Sequence, residues 1–243
     1  MKPTLELLID DRGPVQVLTM NRPEKRNALN NALTAALLEA LRAADADEEV
    51  NCVVLTGAGP GFCAGADLAE FKDLTPDQPH PVESRAELTM RLHQVFSHMT
   101  KPVVTAINGA AMGGGAGLAL AGDLAVMAES AKIGYPEVRH GIVAAIVMPN
   151  LVRQIGRKAA FELLATGQPV DARRALALGM VNRVVPDAEL MTEALKLAGE
   201  LAAVNRPAMA TTKQLFYQVA ETPFDQALAA GREANKRMRG FRK

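Results

Sequence analysis

A chain of 243 residues is long enough for one α/β domain with a full core, or for a main domain carrying a small helical appendage. Lysine plus arginine and aspartate plus glutamate each total 27, a balance that supplies neither a basic field for nucleic acid nor a polybasic face for anionic lipid. Apolar runs are broken well short of the roughly twenty residues of a membrane span, and Met1–Asp10 lacks the apolar stretch of a secretory leader, so a cytoplasmic location without membrane attachment is expected.

In chain order, Leu5–Ile9 and Val15–Met20 read as two strands around the turn Asp11-Arg12-Gly13-Pro14. Asn30 has the position of a helix N-cap, and Leu33, Leu37, Leu38 and Leu41 recur at helical spacing over 31–44. Cys52–Thr56 follows as a continuous apolar strand of the buried parallel kind. Leu74–Pro81, with three prolines, reads as a mobile surface loop. A second unit repeats the order: a helix over Glu83–Met99, a strand over Val103–Ile107, a glycine-rich helix start, and a strand over Leu124–Ala128. Alternation of this kind implies parallel pairing with right-handed crossovers. From about Pro149 the pattern turns almost wholly helical, which marks a C-terminal helical subdomain. Cys52 and Cys63 form no CxxC and have no histidine at ligand spacing, so they read as buried small residues, with no metal site.

Two glycine-rich turns carry the chemical signal. The first, Thr56 through Leu68, leaves a strand and contains Ala64-Gly65-Ala66, where small residues let backbone approach a ligand closely. The second, Gly113-Gly114-Gly115-Ala116-Gly117, opens a helix, whose first N–H groups are unpaired and whose start carries partial positive charge. One N–H from each turn on the same oxygen would make an oxyanion hole, each donor contributing roughly 2.7–4 kcal/mol to a transition state. Close helix-on-strand packing accounts for the same glycines equally well at the local level. The spacing of a dinucleotide fingerprint, a phosphate-loop lysine and a nucleophile elbow are all missing.

Asn21-Arg22-Pro23-Glu24-Lys25-Arg26-Asn27-Ala28-Leu29, Phe62–Leu68, Asn108-Gly109 through Gly113-Gly114-Gly115 to Asp123, Gly134-Tyr135-Pro136-Glu137, Leu164–Gly167 and Ala177–Val185, taken in that order, resemble the enoyl-CoA hydratase/isomerase family, also called the crotonase family. The resemblance covers nearly the whole chain. It implies an α/β fold, a crotonase-like spiral of ββα units with a C-terminal helical subdomain: residues 1–190 as the spiral core with an acyl-CoA site, and 191–243 as a helical segment for oligomerisation into a homotrimer or a hexamer. It further implies that Ala66 and Gly114 bind a thioester oxygen through their N–H groups. Arg26, Ala28, Ala64, Gly65, Asp67 and Leu68 would lie along the acyl-coenzyme A, with Gly113 and Gly117 beside it. Coenzyme A would enter as part of the substrate, with no separate cofactor.

The chain also departs from the pattern. Hydratases that it resembles carry two glutamates, one of them three residues after the second oxyanion glycine; here that position is Gly117, which can neither move a proton nor hold a water. Glu137 remains as the acid-base group, followed by the apolar run Ile142–Met148. One carboxylate in an apolar pocket, its pKa raised by burial, suits moving a proton between two carbons, although family members with a single glutamate also hydrate. Decarboxylation, thioester hydrolysis and non-catalytic acyl-CoA binding stand as alternatives. His140, three residues after Glu137, would share a face with it if the segment is helical, and beside Arg139 it reads first as a solvated neighbour and second as a catalytic partner; Asp67 and Asp123 read as capping or structural carboxylates. The basic residues Arg232, Lys236, Arg237, Arg239, Arg242 and Lys243 read first as a solvated face and second as partners for the coenzyme's phosphates.

Overall fold

The computed structural model describes residues 6–71 and 79–241. The opening hairpin pairs β1 (Leu7–Arg12) with β2 (Val15–Met20), and its first strand runs three residues beyond the Ile9 expected from the sequence because the antiparallel ladder continues to Arg12 opposite Val15. Helix α1 (Asn31–Ala46) is capped as expected, the Asn30 side chain accepting from Leu33 N at 2.8 Å.

Three successive units then follow one plan. Each gives a strand to a large sheet, a short strand to a second sheet, and a helix: β3 (Cys52–Gly57), β4 (Gly61–Cys63), the one-turn α2 (Leu68–Phe71) and α3 (Pro79–His98); β5 (Val103–Ile107), β6 (Ala110–Met112) and α4 (Gly114–Ala121); β7 (Leu124–Ala128), β8 (Lys132–Gly134) and α5 (Met148–Thr166). The large sheet has the order β1-β2-β3-β5-β7-β10, where β10 is Arg183–Val185; beyond the hairpin every pairing is parallel. The second sheet has the order β4-β6-β8-β9, where β9 is Val170–Asp171; only the last pairing is antiparallel. This is the spiral of ββα units that the resemblance implies.

Several expectations need correction. The expected loop at 74–81 falls largely outside the described residues, and its end is already helical, since α3 begins at Pro79 rather than Glu83. The segment after Pro149 is not all helix: β9 and β10 add short strands to the two sheets between α5 and α7 (Leu190–Ala202), with α6 (Ala172–Ala177) between them. Pairing with β7 holds β10 extended, a non-local cause that periodicity does not carry.

Helix α7 packs against β3, β5 and β7 and buries Leu190, Ala194, Leu197, Ala198 and Ala202, so the layer on the large sheet extends through residue 202. α8 (Arg206–Ala220) and α9 (Phe224–Arg237) pack mainly on each other. A buried ion pair ties α8 to the core: Lys213 Nζ lies 2.7 Å from Asp123 Oδ2, and Tyr217 Oη donates to Asp123 Oδ1 at 2.9 Å. Asp123 also accepts from Val103 N at 2.7 Å, which makes it the structural carboxylate expected from its place at the end of α4. Cys52 and Cys63 are buried, and burial pushes both thiols up to about 12.

Candidate active site

The second sheet organises the site. Its strands β4, β6 and β8 are parallel neighbours, and the residues that leave their C-terminal ends are Ala64-Gly65-Ala66, Gly113-Gly114 and Tyr135-Pro136-Glu137. Segments far apart in sequence thus meet along one sheet edge, where ligands of parallel sheets ordinarily bind. Two hydrogen bonds hold the edges together: Gly113 N donates to Gly134 O at 2.8 Å, and Leu29 N donates to Gly65 O at 2.7 Å.

Glycine is required where these backbones pass. Gly65 has φ +90°, and a β-carbon on it would stand 2.6 Å from Met112 O and 3.2 Å from Gly114 N. Gly113 has φ +53°, and a β-carbon there would stand 2.8 Å from Glu137 Oε1. Packing and function therefore do not compete at these glycines. The same close approach that demands glycine brings the backbone of 65–66 and 113–114 beside the carboxylate.

A cavity of about 450 Å³ opens at this junction. It is lined by Ala28, Ala64, Gly65, Ala66, Asp67, Leu68, Gly113, Gly114, Glu137 and His140, with Ile142–Val147 forming an apolar wall. Gly114 opens α4, and among the described residues neither the Gly114 nor the Ala66 amide has an acceptor. Asp67 lines the cavity but is committed elsewhere: its Oδ2 lies 2.9 Å from Arg22 Nη2, and its Oδ1 accepts from Ala69 N. Glu137 is half-buried at the start of the short 3-10 helix Pro136–His140, and its Oε2 has no partner. Burial raises its pKa above the ordinary carboxylate value, against smaller lowering effects of a backbone hydrogen bond and of His140.

Two residues expected at the site are not part of the cavity wall. Arg26 serves through its backbone, its carbonyl accepting from Ala64 N at 2.9 Å, while the wall from this segment comes from Lys25 and Ala28. Gly117 is buried, and a β-carbon on it would meet Cγ1 of Val147 at 2.2 Å, so the valine takes the place in the wall that a side chain at 117 would fill. Sequence reading also missed Thr89 of α3, which lines the cavity, and the buried His93 beside Gly117. Each is a single polar residue on an amphipathic helix, so neither has a signature of its own.

A larger hollow of about 1010 Å³ lies between α4, α5 and α8. Its carboxylates are engaged, Asp123 with Lys213 and Tyr217, Glu221 with Arg153. Among the described residues, the smaller cavity combines a carboxylate that has one oxygen without a partner with two backbone amides that have no acceptor. Among the described residues no group of three or more His, Cys, Asp or Glu is placed to hold a metal ion, and no helix is long and apolar enough to cross a membrane.

Comparison with known proteins agrees with this architecture. The family model described as enoyl-CoA hydratase/isomerase matches residues 10–240. A Thermus thermophilus protein with the provisional name enoyl-CoA hydratase is 47% identical over 206 residues, covering 84% of this chain and 81% of its own length. The 2,3-dehydroadipyl-CoA hydratase of Escherichia coli is 37% identical over 231 residues, covering 94% and 88% respectively. A solved enoyl-CoA hydratase structure from Mycobacterium smegmatis superposes with a TM-score of 0.91 at 36% identity, covering 96% of this chain and 91% of that one. With the motifs in order, the two sheets in their spiral and a family match over nearly its full length, this chain belongs to the enoyl-CoA hydratase/isomerase family.

Proposed function

We propose that this protein adds water across the double bond of a 2-enoyl-CoA thioester, with the Ala66 and Gly114 amides binding the thioester oxygen and Glu137 transferring the proton. The observation that carries the reading is the meeting of three groups at one cavity: two backbone N–H groups without acceptors and one carboxylate with a free oxygen and a raised pKa. A thioester accepts a nucleophile at C3 only if its carbonyl oxygen can take negative charge. Preorganised amides supply that stabilisation without reorganising. As the water oxygen bonds to C3, its proton passes to Glu137 and the double-bond pair moves onto the thioester as an enolate; Glu137 then returns the proton to C2. One molecule of water is added and the carboxylate is regenerated, so a single acid-base group suffices.

The names of the relatives favour hydration over the other reactions of the family. Double-bond isomerisation is the second reading, favoured by Gly117 and the apolar wall Ile142–Val147, since Glu137 alone can carry a proton from C4 to C2. Lys25, at the same cavity, is suited to the coenzyme's phosphates. Self-association into a trimer or hexamer in the cytoplasm belongs to the same proposal.

Glu137→Gln keeps the shape and removes the proton carrier. Turnover of a trans-2-enoyl-CoA is expected to fall by about 10²–10⁴-fold while thioester binding survives. Unchanged turnover removes Glu137 from the mechanism. Mass spectrometry of products from 2-enoyl, 3-enoyl and malonyl-type thioesters separates hydration and isomerisation from decarboxylation and thioester hydrolysis; binding without any product marks a non-catalytic acyl-CoA binder.

A further inference from the structure

The two amides at the cavity are backed by different devices. The Gly114 N–H shares its peptide group with Gly113 O, which accepts from Gly117 N at 2.9 Å, so the whole of α4 stands behind it. Ala66 precedes only the single turn of α2. Its orientation comes instead from a parallel bridge to Leu29, in which Leu29 N donates to Gly65 O at 2.7 Å and Asp67 N donates to Leu29 O at 3.1 Å. A planar trans peptide points its N–H opposite to its C=O. Since Gly65 O faces Leu29, the Ala66 N–H is turned away from that residue. A β-carbon on Gly114 would stand 3.7 Å from Ala66 N, which places this amide beside the other one.

Followed backward, the bonds lead to a charge. Leu29 N shares its peptide group with Ala28 O, and Ala28 O accepts from Arg22 Nη1. Two peptide groups in series, Ala28–Leu29 and Gly65–Ala66, thus connect a guanidinium to the free amide. The rest of the fork is fixed: Nη2 lies 2.9 Å from Asp67 Oδ2, and Nε lies 3.2 Å from Glu6 Oε1. The Arg22 and Asp67 side chains are each 12% exposed. A buried ion pair is a weak source of stability, because desolvation offsets most of the attraction. What it offers here is geometry. Asp67 directly follows Ala66, so the fork grips both sides of the bridge, Ala28 O on one and the Asp67 carboxylate on the other. Along such a chain each hydrogen bond polarises the next, by about 10–30% per bond.

We propose that Arg22 is a positioning residue for the oxyanion site, aiming and polarising the Ala66 amide through the Ala28–Leu29 and Gly65–Ala66 peptides. The inference rests on the reading of the Ala66 and Gly114 amides given above. Glu6 and Asp67 hold the guanidinium and offset its charge, so its effect travels through alignment and bonded neighbours rather than as a long-range field. Arg85 supplies the contrast. It is also buried and braces the same segment, donating to Leu29 O at 2.7 Å, but the peptide of that carbonyl runs on to Asn30 and lies outside the chain of bonds.

The probe is butyryl-CoA with a heavy-carbon label at the thioester carbonyl, a saturated ester that has no double bond to hydrate. Bound to the unmodified protein, its carbonyl stretch in isotope-edited infrared difference spectra is expected at lower wavenumber than in water, because two aligned amides share the oxygen. Arg22→Met is expected to lose part of that displacement, at most about half, the share of one donor in two. Its kcat for trans-2-enoyl-CoA hydration is expected to fall by roughly 10–100-fold with KM within about threefold, a smaller loss than that of a whole donor. Arg85→Met is expected to lower the urea midpoint and leave the stretch in place. Should Arg22→Met not fold, Arg22→Lys, which keeps a cation and loses the fork, carries the same test. A stretch in the Arg22 variant equal to that of the unmodified protein, or an equal shift in Arg85→Met, overturns the inference. Failure of both Arg22 variants to fold assigns the guanidinium to structure alone and also overturns it. If the unmodified protein does not displace the stretch, the reading of the two amides fails and this inference falls with it.

Discussion

Burial sets the behaviour of Glu137, and that has a consequence in pH. Its carboxyl is held above the ordinary value of about 4.3, and the proton-accepting form needed to take a proton from water exists only above the raised value. The acid limb of kcat/KM for enoyl-CoA hydration is therefore expected above that ordinary value, and a limb at or below it in a pH–rate profile would contradict the assignment. The stability sign runs the same way. A raised folded-state pKa favours the protonated form, so stability is fully present below the unfolded pKa and is lost as pH rises through the folded one. Glu137→Gln removes that loss, visible as a flatter dependence of the urea midpoint on pH through the same window. Gly117 gives a second residue-level prediction. Gly117→Ala places a methyl 2.2 Å from Val147 Cγ1 and 2.8 Å from His93 Cε1, and overpacking of this kind costs about 1–3 kcal/mol. Urea unfolding reads it directly, and a stability equal to that of the unmodified protein would mean the wall gives way freely. Restoring a second carboxylate here meets the same obstacle, because the space belongs to Val147.

Elements are joined by a few polar contacts of unequal worth. Lys213 Nζ on α8 donates to Lys101 O at 2.8 Å and pairs with Asp123 at 2.7 Å, at 4% and 18% side-chain exposure. Arg153 and Glu221 pair at 2.6 Å with more than half of each side chain exposed, 57% and 53%. Similar geometry in different solvent has different value. Lys213→Met strands the Asp123 carboxylate with only Tyr217 and the Val103 amide, and is expected to cost about 3 kcal/mol. Glu221→Ala is expected to change stability by less than about 1 kcal/mol. Equal losses from the two variants in denaturant titrations would sink the argument. Most elements were legible at this scale. Asn30 and the leucine spacing marked α1, and the apolar runs marked β3, β5 and β7. The short strands β4, β6, β8, β9 and β10 were not, since two or three residues carry no periodicity and are extended only because a distant strand pairs with them.

At the scale of the whole molecule, the C-terminal helices leave large apolar side chains in the open. Phe224 of α9 is 75% exposed, Phe161 of α5 is 73%, Phe216 of α8 is 64% and Leu228 of α9 is 58%. Exposed aromatics of this size are characteristic of surfaces that meet a partner, and the proposed trimer or hexamer would cover them. Sedimentation velocity is expected to show a species larger than a monomer, and Phe216→Asp with Phe161→Asp to shift it toward smaller ones. A monomer at micromolar concentration in the unmodified protein would refute the proposed assembly.

Local order along the chain determined the family, the parallel units and the candidate groups, because glycine turns, caps and apolar runs are short-range signals. Residues 66, 114 and 137, and the departure at Gly117, were named by the resemblance that the ordered motifs carry; the glycine turns by themselves left packing and function equally open. Only the tertiary structure decided what faces what. It set Val147 over Gly117 and committed Asp67 to Arg22. Lys25 rather than Arg26 came to line the cavity, and His93 was left unmatched behind its wall. The physical reason is that burial and hydrogen-bond satisfaction depend on neighbours supplied by other segments. A lone histidine on a helix has the same local sequence whether its ring meets solvent, a carbonyl or an enclosed water.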